Sequence, residues 1–272
     1  MSVPTQNVIL FGSTGCGKSS IVNMLLDPYQ TQAETSSSAK GCTFRSEPYD
    51  VLISDVWYRI FDTAGLDEGS EGAIMSSDAL VNLYKLLDEL PDGISLLAFV
   101  MRGPRITKQA QKNVSIFYEG VCEKSVPIVI IVTGMEDEEP MDAWWMRNER
   151  HFQDANMCFD GHACITATRG KETFRGYKNE VEYEESRDLV RDLVREHCRA
   201  HGWKQASMAD WIPDVYIEKI DVFLDCRRKS HGLDEFSTGF SVNSAPSLPM
   251  PIIKTFTMCF CAFRRWKKLC KY

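Results

Sequence analysis

Over the first 200 or so positions, short unbroken apolar runs alternate with longer stretches of helical periodicity. Gln6–Phe11 (QNVILF) and Ile128–Thr133 (IVIIVT) read as strands buried on both faces, the second almost wholly β-branched. Residues 94–101 and 163–166 read as two more strands. Residues 43–54 and Val56–Asp62 are strand-like runs parted by Ser54-Asp55, the spacing of an antiparallel hairpin. Helices are predicted over 18–26, 72–90, 107–119, 141–155 and 181–200. The second carries the stripe Leu80, Leu83, Tyr84 and Leu87, and Thr107 is placed to cap the third. Strands alternating with helices of this length predict an α/β fold: a three-layer sandwich with a mostly parallel six-stranded sheet and one antiparallel edge strand.

Beyond residue 203 the pattern weakens. Residues 211–226 allow one more helix, and 232–251 are rich in Ser, Gly and Pro and read as a linker. The expected organisation is a main domain over 1–203, a helical extension with its linker over 204–251, and a basic, aromatic, Cys-containing tail over 252–272.

Composition adds little to the fold and more to the surface. An apolar fraction of 44% and a charged fraction of 25% are ordinary for a globular chain of 272 residues. The net charge of −7 hides an asymmetry. From Lys254 to Tyr272 there are six Lys/Arg and no acids, leaving 25 bases against 38 acids elsewhere, a net of −13. An acidic body argues against nucleic acid as a partner of the main domain. The tail, with Phe256, Phe260, Phe263 and Trp266 at helical spacing, suits either an anionic membrane surface or docking on the acidic body. Cys259 and Cys261 are candidates for palmitate. Ten cysteines without a C-x-x-C pair, no signal-like leader and no apolar run of 18 residues predict a cytoplasmic protein with reduced thiols, peripheral at a membrane if the tail engages one.

The chemistry concentrates where the first strand ends. Gly12-Ser13-Thr14-Gly15-Cys16-Gly17-Lys18-Ser19 fits G-x-x-x-x-G-K-[ST] between a buried strand and a helix. Glycines let successive backbone N–H groups face phosphate oxygens, and the helix offers its positive end. Lys18 can reach the β- and γ-phosphates, Ser19 can ligate Mg²⁺, and Ser20 follows in the same cradle. Forty-four residues after Lys18, behind the hairpin, comes Asp62-Thr63-Ala64-Gly65-Leu66. Asp62 at a strand end can hold Mg²⁺ through water, and Gly65 offers an unobstructed N–H to a γ-phosphate.

A P-loop followed by DTAG resembles the translation-factor-like class of GTPases. The segment 99–107 (FVMRGPRIT) resembles the immunity-associated nucleotide-binding, or GIMAP-type, GTPases and their plant and fungal relatives. The resemblance covers roughly residues 5–200. It implies GTP and GDP as ligands, with Mg²⁺. It makes the loop before the second strand switch I, with Thr43 as its Mg²⁺-contacting threonine and Thr35 as competitor. Lys18, Thr43 and Gly65 are then the residues at the transferring phosphoryl group. It also implies nucleotide-dependent homodimerisation through the nucleotide face.

Two departures from the family pattern matter. Guanine is read there by the Asp of [NT]-K-x-D, whereas this chain has Thr133-Gly134-Met135-Glu136, followed by Asp137. Thr133 is in register, Gly134 replaces the lysine whose stem would pack on the base, and Glu136 replaces the aspartate, with Asp137 as alternative acceptor. Ala167, in Ile165-Thr166-Ala167-Thr168, matches the loop whose N–H contacts guanine O6. Second, Leu66 stands where a glutamine would orient water, so slow hydrolysis of GTP to GDP and phosphate is expected. Glu68 and Glu71, or Arg102 and Arg105 acting across a dimer, are candidates for the missing group. The leading reading is a nucleotide-dependent GTPase switch; the rivals are a P-loop ATPase or kinase and a nucleotide-binding scaffold without turnover.

Overall fold

The computed structural model describes residues 5–27, 33, 47–63, 86 and 90–204. All lie in the first of the two units into which the chain divides, 1–206. Six strands form the main sheet: β1 (Gln6–Phe11), β2 (Glu47–Ile53), β3 (Val56–Asp62), β4 (Leu96–Arg102), β5 (Ile128–Thr133) and β6 (Gly161–Ile165). Their order is β2-β3-β1-β4-β5-β6. Every pairing is parallel except that of edge strand β2 with β3. Ser54 and Asp55, both at positive φ, make the tight turn of that hairpin.

The strands are apolar throughout because both faces are covered. Alternate residues point to opposite sides. Val8 and Leu10 of β1, Ala98 and Val100 of β4, and Val129 and Ile131 of β5 share one core with Ile21, Val22 and Leu25 of helix α1 (Lys18–Leu25) and with Val190, Leu193 and Val194 of helix α4 (Glu180–His197). The other face is aromatic. Phe11 stacks on Phe117 at 4.6 Å between centroids and meets Phe99 at 5.3 Å. Phe99 stacks on Phe159, which continues through Phe152 to Trp145. These rings bring helix α2 (Lys108–Val114), with its π-helical continuation Ser115–Val121, and helix α3 (Ala143–Asp154) onto that face. The result is the expected three-layer sandwich.

Differences from the sequence reading are local. Strand β4 begins at Leu96, because Ile94 pairs instead with Trp203 in an isolated antiparallel bridge. That bridge draws the chain after α4 back to the sheet: a methyl group on Gly93 would lie 2.3 Å from the Trp203 carbonyl oxygen. Thr107 does cap α2, its hydroxyl accepting from the Ala110 N–H at 3.1 Å. A small hairpin, β7 (Glu172–Thr173) with β8 (Gly176–Tyr177), was missed because two-residue strands leave no periodicity to read. Of the helix expected over 72–90, only Leu86, helical and buried, and Leu90 are among the described residues. The predicted segments at 211–226, 232–251 and 252–272 lie outside them.

Candidate functional site

The phosphate motif sits at the carboxyl edge of the sheet, where the chain leaves β1 between β3 and β4. This is the edge at which open α/β sheets place ligands. Gly12 has φ 152°, and a methyl group there would come within 2.1 Å of the Val100 carbonyl oxygen on β4. The loop therefore runs flush against β4, and only glycine permits it. Gly15 (φ 74°) and Gly17 (φ 105°) take the left-handed conformation that turns the loop into α1. Helix α1 has no side-chain cap and no acid in its first turn. Its leading N–H groups and positive dipole end thus remain available to an anion.

Lys18 closes the loop from inside. Its ammonium donates to the carbonyl oxygens of Gly12 (3.0 Å) and Ser13 (2.9 Å), and the residue is buried. A positive charge is thus held at the centre of the curl. Beside it, burial pushes the Cys16 thiol up from its ordinary value, against the pull of the Lys18 charge. Thr14 and Gly15 form the exposed tip, while Ser13 and Ser20 are half-buried.

Ser19 and Asp62 meet across the gap between α1 and β3. The Ser19 hydroxyl donates to Asp62 Oδ2 at 2.5 Å. Thr63 fixes this strand end, its hydroxyl donating to the Leu10 carbonyl at 2.7 Å. A hydroxyl and a carboxylate brought together beside a phosphate loop are the hard oxygen donors Mg²⁺ takes, with water and phosphate oxygens completing its shell. The residues present fit that ion.

The end of β5 is tied to the same loop. Thr133, buried, donates its hydroxyl to the Cys16 carbonyl at 2.7 Å, and its methyl group faces Gly17. In the sequence reading Thr133 belonged to the base motif; the structure places it as a tether between that motif and the P-loop. Gly134 turns the chain at φ 83°, and the Met135 N–H donates to the Ile165 carbonyl at 3.2 Å, joining the loops after β5 and β6. Glu136 is half-buried on the first loop and Ala167 half-buried on the second. Asp137 is exposed, and Glu138 is engaged by Arg147 at 2.5 Å. Arg169 anchors the second loop to α4 through Glu180 and Glu184, and lies over the Tyr183 ring at 4.6 Å.

The structure thus gathers Gly12, Ser13, Thr14, Gly15, Cys16, Gly17, Lys18, Ser19, Ser20, Asp62, Thr133, Glu136 and Ala167 along one edge of the sheet. Thr43, Gly65, Thr35, Leu66, Glu68 and Glu71 lie outside the described residues. Arg102 and Arg105 are exposed at and just past the end of β4. Sequence reasoning missed the tether role of Thr133 and the contact of Gly12 with β4, since both depend on which strands are neighbours. Among the described residues no three His, Cys, Asp or Glu side chains gather into a metal site built from protein ligands alone, and no helix is long and apolar enough to cross a membrane.

Comparison with known proteins agrees with this geometry. Residues 7–133 match the family model described as 50S ribosome-binding GTPase. Immune-associated nucleotide-binding protein 10 of Arabidopsis thaliana is 31% identical over 147 residues, which are 52% of this chain and 30% of that protein. Among solved structures, Era in complex with MgGDPNP and nucleotides 1506–1542 of 16S ribosomal RNA matches with a TM-score of 0.51 at 15% identity, over 76% of this chain and 60% of that one. At that identity the likeness is one of fold. Toc33 from Arabidopsis thaliana, as a dimerization-deficient mutant, matches at 0.46 and 17%, over 73% and 88%. The phosphate cradle, the paired Ser19 and Asp62, and the family match over the same strands point one way: residues 7–133 match a GTPase domain with a P-loop, and the chain is similar over 52% of its length to an immune-associated nucleotide-binding protein of Arabidopsis thaliana.

Proposed function

We propose that the chain binds GTP with Mg²⁺, hydrolyses it slowly to GDP and phosphate, and acts as a switch whose state partners read. The observation that carries this reading is the bond from Thr133 to the Cys16 carbonyl. It locks the phosphate loop to the strand whose next residues form the base loop, so one nucleotide spans both. Gly12 to Ser19 and the start of α1 hold the phosphates, with the Lys18 ammonium exchanging loop carbonyls for β- and γ-phosphate oxygens. Mg²⁺ would be held by Ser19 with Asp62 and would supply charge neutralisation at the phosphates. Glu136, half-buried beside the Ala167 loop, accepts from guanine N1–H and N2–H₂; exposed Asp137 is the weaker candidate. The family match stops at Thr133, so guanine recognition rests on this geometry.

Slow turnover follows from Leu66, which can neither donate nor accept a hydrogen bond to water. Arg105, exposed past the end of β4, is the candidate to supply charge to a second copy across the nucleotide face. The basic tail over 252–272 is the candidate for contact with an anionic membrane surface. Leu66 equally supports a scaffold that binds nucleotide without turnover. Titration with GDP, GTP-γ-S, ADP and a non-hydrolysable ATP analogue, each with Mg²⁺, tests the first part: adenine nucleotides binding as tightly as guanine nucleotides would sink the guanine assignment. A turnover assay at two protein concentrations tests the second. Phosphate release that rises more than linearly with protein supports the dimer, and none at all leaves the scaffold.

A further inference from the structure

The base loop lacks the long side chain that its motif normally provides. Gly134 stands where a lysine stem would lie along the nucleotide, between Thr133, the end of β5 bonded to the P-loop, and Glu136. The structure fills that place from a neighbouring strand. Arg102 ends β4 in direct register with Thr133, and the next residue is locked to it, the Gly103 N–H donating to the Thr133 carbonyl at 2.9 Å. A methyl group built on Gly134 would lie 3.5 Å from Arg102 Cγ and 3.6 Å from its Nε, so the arginine stem lies alongside the bare glycine. Among the described residues Arg102 makes no hydrogen bond or ion pair, while Arg59, Arg147, Arg169, Arg187 and Arg195 are all bound to carboxylates. Its planar, permanently charged head is free to lie on a π face.

We propose that Arg102 replaces the missing lysine in cis, its stem and guanidinium packing over the guanine nucleotide bound by the same chain. A nucleotide with its phosphates on Gly12 to Ser19 and its base between Glu136 and Ala167 crosses the surface above Gly134, which Arg102 borders. Stem packing and cation–π contact both act on a base face and carry no preference among bases. Arg102 therefore adds affinity, while Glu136 adds selectivity. This inference rests on the guanine-nucleotide reading, and it separates the two arginines: Arg102 serves its own nucleotide, which leaves Arg105 for a partner.

The test is titration of wild type, Arg102→Ala and Arg102→Lys with Mg-GDP and, separately, with inorganic pyrophosphate, at two protein concentrations. Removing a cation–π contact of this kind weakens base binding roughly 2- to 30-fold. The expected result is a loss of about ten-fold for GDP in Arg102→Ala, near wild-type GDP binding in Arg102→Lys because a long stem remains, and unchanged pyrophosphate binding in both. Equal GDP affinity in wild type and Arg102→Ala overturns the proposal. So does an equal loss for pyrophosphate, which marks a phosphate or folding effect, and so does a loss that vanishes on dilution, which marks an arginine acting between copies. A wild type that binds GDP no better than pyrophosphate overturns the guanine reading itself, and this inference with it.

Discussion

Replacing Thr133 by valine tests whether the P-loop is held by the strand that carries the proposed base loop. Valine keeps the methyl group facing Gly17, the β-branched shape and the strand preference, and deletes only the hydroxyl. That hydroxyl donates to the Cys16 carbonyl at 2.7 Å in a residue 3% exposed; a second acceptor, the Met101 carbonyl at 3.4 Å, is too distant to add much. The substitution leaves a buried carbonyl without that donor, which costs about 1–3 kcal/mol. For a domain of this size each kcal/mol lowers Tm by about 2–4 °C, so a loss of about 2 kcal/mol gives ~4–8 °C. The loop also loses its tether, and a binding-competent fraction reduced about ten-fold weakens the apparent Kd for GDP by the same factor. Differential scanning fluorimetry without nucleotide reads the first effect and calorimetric titration with Mg-GDP the second. Thr133→Ser is the control, keeping the hydroxyl and losing the methyl group. If Thr133→Val melts within 1 °C of wild type and binds GDP equally well, the tether is not what holds the loop. If the serine variant suffers more than the valine variant, packing against Gly17 matters more than the hydrogen bond.

Gly12→Ala forces a methyl group to within 2.1 Å of the Val100 carbonyl oxygen, so the loop must leave β4. Overpacking of this kind costs about 1–3 kcal/mol or more, and a thermal melt together with loss of GDP binding checks it. Ser19→Ala and Asp62→Asn each remove one hard oxygen donor from the pair at 2.5 Å. The expected result is GDP binding that no longer improves when Mg²⁺ is added, read by titration with Mg²⁺ or EDTA. Burial pushes the thiols of Cys164 and Cys198 up to about 12 from an ordinary 9.0. Since the unfolded chain ionises them first, stability holds below pH 9 and falls as pH climbs from about 9 towards 12. Denaturant midpoints across that range, compared between wild type and Cys164→Ala, check the sign; and of the cysteines among the described residues, iodoacetamide modifies exposed Cys158 first.

The sheet was legible because each buried strand is short, apolar on both faces and bounded by turn residues. Val56–Asp62 and Ile128–Thr133 match the sequence reading end for end. Elements set by partners elsewhere in the chain were not legible. Ile94 continues the apolar run of β4, yet it pairs with Trp203, a contact no local pattern announces. Helix α4 starts at Glu180, one residue early, on a loop held by Arg169 through Glu180 and Glu184.

The two halves of the site differ for the same reason. A phosphate cradle is built from one continuous stretch of backbone, and its glycines are demanded by geometry: Gly12 by the carbonyl of Val100, and Gly15 and Gly17 by left-handed turns. Such a constraint prints itself on the local sequence, so the motif can be read letter by letter. The proposed base site draws instead on side chains that arrive from separate strands. Gly134 looks like a loss when β5 is read alone, because the stem beside it belongs to Arg102, thirty-two positions earlier and adjacent only through the pairing of β4 with β5. On the proposal made for Arg102, sheet order rather than motif decides which residue covers the base. A chain in which the lysine of [NT]-K-x-D has become glycine should therefore be searched at the register partner on the neighbouring strand before base recognition is written off.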